Sequence, residues 1–239
     1  DMVIAINFRA ARRALDILYP PLCPLCNRSA GGSLCPTCDA GVERIQPPFC
    51  FRCGAPVAGS PEETPCRACL GKHFHFTRAV AAGRYIGALR ELVLRLKYRG
   101  EKAIGNDLAG LIAERLAAEW FMGTVDIVLP VPMKWWRVLQ RRYNQSELLA
   151  EAVAARFGVP YRNNVLRKVR QTQQQERLGR RGRLANLRGA FGVKRPSAVN
   201  EKRVLIVDDV MTTGATASEC AHALLKAGAR KVYVAVAAR

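Results

Sequence analysis

The sequence predicts an α/β protein, a doubly wound and mostly parallel sheet over residues 78–239 behind a small cysteine-rich module over residues 19–77. Three observations predict it. Apolar strand-like runs alternate with amphipathic helical runs from residue 78 onward, as in βα units. The run Val204-Leu205-Ile206-Val207 is apolar without alternation, which suits a strand buried on both faces. Ahead of the sheet, eight of the nine cysteines fall into four C-x2-C pairs.

Composition sets the bounds. With 239 residues, 49% of them apolar, the chain holds one ordinary α/β domain and a smaller appendage, and a disorder-dominated reading is excluded. A balance of 38 basic against 19 acidic residues gives a formal charge of +19, which predicts attraction to nucleic acid, pyrophosphate compounds or an anionic membrane surface. No apolar run approaches the roughly 18 residues that a membrane span needs. Residues 1–18 interleave Arg9, Arg12 and Arg13 with apolar residues, unlike a secretory signal. They read as an amphipathic helix with Phe8, Leu15 and Leu18 on one side, stopped by Pro20-Pro21 and packed on the body.

The cysteine pairs are Cys23/Cys26, Cys35/Cys38, Cys50/Cys53 and Cys66/Cys69. Two thiolates three positions apart in a tight turn can share a tetrahedral Zn²⁺, and four pairs supply two closed, structural sites. Zinc then stands in for a core that so short a segment cannot build. Sequential pairing leaves connections of eight residues (27–34) and twelve (54–65), each short enough for a hairpin. Interleaved pairing needs more than about twenty, so the spacing favours two consecutive zinc ribbons. Paired thiols of this kind imply a reducing, cytoplasmic location. His73 and His75 read as surface residues, and Cys220, spaced for burial on a helix, as an inert core thiol.

Along the body, residues 79–86 predict a strand, Leu89, Leu92, Val93 and Leu96 a helix through Tyr98, and residues 104–120 a second helix. The run Asp126-Ile127-Val128-Leu129 predicts a strand stopped by Pro130-Val131-Pro132. A basic, aromatic loop follows over 134–145, then a helix over 146–157. Residues 167–192 carry seven arginines and four glutamines without an anchoring apolar period and read as a mobile basic loop, suited to closing over a pyrophosphate or tracking phosphates. Strands are predicted at 203–208 and 231–237, and ligands in such sheets bind at the strand carboxyl ends.

At one such end stand Asp208-Asp209, then Val210-Met211 and Thr212-Thr213-Gly214-Ala215-Thr216, which open a helix running to Gly228. A helix N-terminus offers unpaired N–H groups and a positive dipole end, Gly214 permits close backbone approach, and the threonine hydroxyls add donors, so the loop suits a phosphate. The adjacent carboxylates make sense as acceptors for vicinal hydroxyls, with a divalent cation nearby to offset their repulsion. A 5-phosphorylated ribose satisfies both halves. The stretch resembles the 5-phosphoribosyl-1-pyrophosphate (PRPP) motif of type I phosphoribosyltransferases, a hydrophobic strand followed by D-D and T-T-G-x-T.

Nearly the whole chain resembles the competence protein F family, a phosphoribosyltransferase-like domain behind a double zinc ribbon. Beyond the knuckles and the PRPP motif, the resemblance rests on R-E-L-V-x-R-L-K-Y-x-G at 90–100, L-P-V-P at 129–132, Y-N-Q at 143–145 and R-x-T-x-x-Q-x-x-L-x(4)-R-x-x-N at 170–186. Where this chain has Arg142 the family usually has glycine, which puts a left-handed backbone there in question. The resemblance implies a pyrophosphate loop over 131–142, Asp208 and Asp209 as ribose-hydroxyl acceptors and catalytic residues, and a 5-phosphate cradle from Met211 through Thr216. It also implies Mg²⁺ bound with PRPP. Lys134, Arg137, Arg141, Asn144, Gln145, Arg170 and Arg183 are the expected pyrophosphate or DNA contacts. The partners implied are single-stranded DNA and proteins of DNA uptake in natural transformation.

Overall fold

The computed structural model describes residues 22–30, 34–58, 66–133, 135–170 and 187–239, without the side chains of 135–137. The helix expected over 1–18 lies outside the described residues. In chain order the strands are β1 (Arg78–Gly83), β2 (Ile127–Pro130), β3 (Leu166–Lys168), β4 (Phe191–Val193), β5 (Arg203–Val210) and β6 (Lys231–Ala238). The α-helices are α1 (Pro36–Ala40), α2 (Gly87–Tyr98), α3 (Ile104–Ala117), α4 (Trp135–Arg141), α5 (Gln145–Phe157) and α6 (Ala215–Lys226). Strands β1, β6, β5 and β2 stand in that order, and every neighbouring pair is parallel.

The alternation of side chains along β5 sorts the core into two layers. Leu205 and Val207 pack with α2, α3 and α5 on one face, while Val204 and Ile206 pack with α6 and the β3–β4 pair on the other. All four are fully buried. At about 1.5–3 kcal/mol for each such side chain, a one-residue slip of register is prohibitive. In α2, Leu89, Leu92, Val93 and Leu96 recur at i, i+3, i+4 and i+7 and are fully buried.

The two cysteine clusters sit against opposite faces. Near the first, Leu34 N donates to Asp107 Oδ1 (3.1 Å) and Arg95 to the carbonyl of Pro24, which ties it to α2 and α3. In the second, Cys50, Cys53 and Cys69 join the other core layer, and Ala79 N on β1 donates to Arg52 O (3.0 Å).

The structure corrects several expectations. The loop over 134–145 is largely the helix α4, where Trp135, Val138 and Leu139 recur at i, i+3 and i+4 and Arg, Leu and Gln are strong helix formers. Of the basic loop expected over 167–192, residues 171–186 lie outside the described residues; its two ends are the strands β3 and β4, which pair antiparallel because Leu166 and Phe191 bury themselves beside α6. Helix α3 stops at Ala117 rather than Trp120, where Glu119 turns inward to Arg78 Nε (2.8 Å) and Arg115 NH2 (2.6 Å). Strand β1 ends at Gly83, and β5 runs to Val210, two residues past the expected end.

Candidate functional site

Strand β2 ends opposite Val207, so β5 continues beyond that partner with Asp208, Asp209 and Val210 at the carboxyl edge. Asp208 Oδ1 accepts from Ser146 Oγ (2.6 Å), at the start of α5, and from the backbone N of Asp209 (2.9 Å). Lys97, near the end of α2, reaches Asp209 Oδ1 with its ammonium at 3.0 Å. Burial and then the neighbouring Asp209 push Asp208 up to about 7, against the pull of Ser146 and Lys97. Burial works against the charge on Lys97, but Asp209 and Asp208 outweigh it and hold its pKa above the usual value. An acid pair served by one ammonium and one hydroxyl is an acceptor site for hydroxyl donors.

Beyond Val210 the chain turns through 211–214 into α6. Gly214 caps that helix with φ +78°, and a Cβ there would meet the Phe74 ring at 3.0 Å, so both conformation and space call for glycine. Thr213 Oγ1 accepts from Ala215 N (3.4 Å), and Ser218 N closes the first turn on Gly214 O (2.8 Å). The backbone N–H groups of Thr212, Thr213, Gly214 and Thr216 have no backbone acceptor among the described residues. N–H groups without backbone acceptors at a helix N-terminus can receive an anion. Met211 contributes no side chain to it, being buried in the core with its N–H bonded to Ala238 O (3.0 Å).

A third element closes the edge. Asn144 caps α5, accepting from Ser146 N (3.1 Å) and donating to Val131 O (3.2 Å), which fixes the segment after β2 to the helix that carries Ser146. Gln145 is fully buried, its Oε1 accepts from Arg141 NH1 (3.3 Å), and its Nε2 has no partner among the described residues. Just before it, Arg142 holds φ +64°, the left-handed conformation that glycine favours. For an L-residue this costs about 1–2 kcal/mol. The left-handed backbone in question at this position is therefore present despite the arginine.

The Sγ atoms of Cys23, Cys26, Cys35 and Cys38 lie within 4.8 Å of one another, as do those of Cys50, Cys53, Cys66 and Cys69. Cys26 and Cys35 sulfurs are 3.6 Å apart, and Cys53 and Cys66 sulfurs 3.8 Å. A tetrahedral zinc with sulfurs at about 2.3 Å separates them by about 3.8 Å, so the donor sets fit. Backbone N–H groups of Cys35 and Cys66 point at Cys23 and Cys50 Sγ (3.4 Å each), the supporting bonds that thiolate ligands need. The grouping is the sequential one.

Competence protein F of Haemophilus influenzae is 31% identical over 86% of this chain and 90% of its own length. The chain belongs to the competence protein F family. A DNA utilization protein YhgH of Salmonella typhi is 36% identical over 91% of this chain and 96% of that protein. Residues 14–70 match the double zinc ribbon domain and residues 143–239 the phosphoribosyl transferase domain. The amidophosphoribosyltransferase of Escherichia coli is 29% identical over 53% of this chain and 23% of its own length.

In this family member the structure brings Asp208, Asp209 and the 212–216 loop together at one sheet edge, with Asn144 and Gln145 at the head of α5 beside them. Arg141 stacks its guanidinium 4.9 Å from the Tyr98 ring, and Arg170 donates to Arg188 O (2.8 Å) at the neck of the β3–β4 pair. Lys134, Arg183 and the Arg137 side chain lie outside the described residues. His73 is exposed, but His75 is half-buried, its N–H donating to Ser218 Oγ (3.1 Å) on α6. Cys220 is fully buried, and burial holds its thiol far above the usual value. Sequence reasoning missed Lys97 and Ser146. Lys97 stands four residues after the buried Val93, at the rim of the apolar face of α2, and that position was its one signal.

Proposed function

We propose that this family member binds PRPP with Mg²⁺ at the carboxyl end of β5, and does so while handling single-stranded DNA in the cytoplasm. The observation that carries the reading is the pairing of a hydroxyl-accepting acid pair with a run of free N–H groups four to eight residues later. Asp208 and Asp209 accept the ribose hydroxyls, and the backbone and hydroxyls of Thr212 through Thr216 hold the 5-phosphate. Pyrophosphate takes the side of residues 131–133, Arg141, Asn144 and Gln145, with Arg170 beside it at the β3–β4 pair, and Lys134, Arg137 and Arg183 are its further proposed contacts. Mg²⁺ held with the ligand near Asp208 and Asp209 would supply charge neutralisation to the pyrophosphate. Transfer breaks the bond from the anomeric carbon to a pyrophosphate oxygen and forms one from that carbon to the acceptor's nucleophilic atom, whose proton goes to solvent, while the cationic side chains stabilise the leaving pyrophosphate. The names of the relatives, DNA utilization and competence proteins, support the DNA context. The two ribbons serve as structural supports.

A second reading, a non-catalytic single-strand adaptor with a regulatory PRPP site, is favoured by the charge around Arg141 and Arg142. One experiment separates the two: incubate protein, Mg²⁺ and PRPP with single-stranded DNA or free bases and assay released pyrophosphate. Release that requires an added acceptor supports transfer. Bound PRPP with no release supports the adaptor, and no PRPP binding at all contradicts both.

A further inference from the structure

Beside the acid pair the surface opens into a cavity of about 560 Å³ between the end of α2 and the end of α4. Its lining holds five cations, Lys97, Arg99, Lys102, Arg141 and Arg142, and no carboxylate. Of these, Lys97 pairs with Asp209 and Arg99 approaches Glu91 at 3.7 Å. Lys102 and Arg142 have no ion-pair partner among the described residues. Concentrated positive charge without its counterions is the footprint of a polyanion.

Two further features say which polyanion. Tyr98 is 68% exposed at the cavity wall, with the Arg141 guanidinium 4.9 Å from its ring. A large aromatic face flanked by cations has little to offer a bare inorganic anion and is a stacking platform for a base. Arg142, at the lip, carries its side chain on a left-handed backbone, where a glycine would sit unstrained and add no charge. The arginine adds to the lip a cation that a glycine would lack.

We propose that this cavity seats a single-stranded nucleic acid, its phosphodiesters on Arg99, Lys102 and Arg142 and a base on Tyr98. The inference rests on the single-strand reading above and gives it a place. Because Lys97 both lines the cavity and pairs with Asp209, the strand lies next to the phosphoribose site.

The test is fluorescence anisotropy of a labelled oligothymidylate with the full chain across a salt series, alongside PRPP titration. Arg99→Ala/Lys102→Ala is expected to weaken the oligonucleotide at least tenfold and to reduce the salt slope by about 1.4, near 0.7 for each lost phosphate contact. Its PRPP affinity is expected to stay within about twofold. Tyr98→Ala is expected to weaken the oligonucleotide by about tenfold with the slope unchanged, since stacking is not ionic. Arg142→Gly is expected to weaken it too, with a melting temperature no lower than that of the wild type. Wild-type affinity in Arg99→Ala/Lys102→Ala overturns the proposal, as does a parallel loss of PRPP, which assigns the cavity to pyrophosphate alone. If the wild type binds no oligonucleotide, the single-strand reading itself falls. If it binds and the variants match it, only the cavity assignment does.

Discussion

The end of β5 and the cavity beside it share Lys97, yet they are built in different ways. The acid pair and the anion loop come from one contiguous stretch, held by a strand whose four preceding residues are fully buried, with Asp209 itself only 7% exposed. The cavity is assembled from the last turns of two helices distant in sequence, and Tyr98, Arg99, Lys102 and Arg142 are all exposed. Rigid, buried backbone fixes a small ligand's geometry, whereas exposed cations on helix ends adapt to a polymer's charge. The contrast teaches where each kind of evidence comes from: a local motif announces the first site, and only the folded chain announces the second.

The sharpest way to break the contrast is Asp208→Ala/Asp209→Ala. Hydrogen bonds to charged acceptors contribute about 1.5–3 kcal/mol each, so PRPP affinity should fall by a factor of about 100 or more. Oligonucleotide affinity should hold or rise slightly, because two negative charges leave the edge of the cavity. Equal losses in both titrations would mean that the two regions are one site. Next in size is Lys97→Met, which keeps the chain length and removes the charge between them. It leaves Asp209 without its partner 3.0 Å away and should destabilise the fold by about 2–3 kcal/mol, read as a lower denaturant midpoint.

The fold was legible where burial dictates sequence. All four strands of the parallel sheet announce themselves by unbroken apolar runs, and the four knuckles by cysteine spacing. What was not legible depends on contacts made across the chain. Leu166 and Phe191 belong to short strands that only pairing and the neighbouring α6 can define. Helix α4 is only seven residues long, too short for its apolar spacing at Trp135, Val138 and Leu139 to stand out from a basic, aromatic stretch. Ser146 is one serine among many until α5 carries its hydroxyl 2.6 Å from Asp208. At Arg142 the sequence raised a doubt about the left-handed turn, and the structure keeps the turn at the residue's own conformational expense.

A pH series sharpens the comparison further. Asp208 is raised to about 7 in the folded chain, above its ordinary 3.8, so the folded state holds that proton more tightly than the unfolded state does. Its contribution to stability is present below about pH 4 and is lost as the pH rises through about 7. Ligand binding runs the other way. Ionised Asp208 is the better hydroxyl acceptor, so PRPP affinity should climb by up to about tenfold per unit below pH 7 and level above it, and Asp208→Asn should flatten that climb. Oligonucleotide binding, resting on arginine and lysine, should not follow the same curve. The smallest expected effect is Arg142→Gly, which relieves left-handed strain and should raise stability by about 0.5–1 kcal/mol in thermal unfolding.

One measurement bears most directly on the claim that the acid pair and the threonine loop hold a single phosphoribose. Ribose 5-phosphate and 2-deoxyribose 5-phosphate are titrated calorimetrically into the wild type and into Asp208→Asn/Asp209→Asn. The account predicts that the wild type prefers the ribose compound by about tenfold, the value of one hydrogen bond to a charged acceptor, and that the variant loses the preference while still binding the phosphate. A preference of the same size in both proteins, or no binding of either sugar by the wild type, would contradict it.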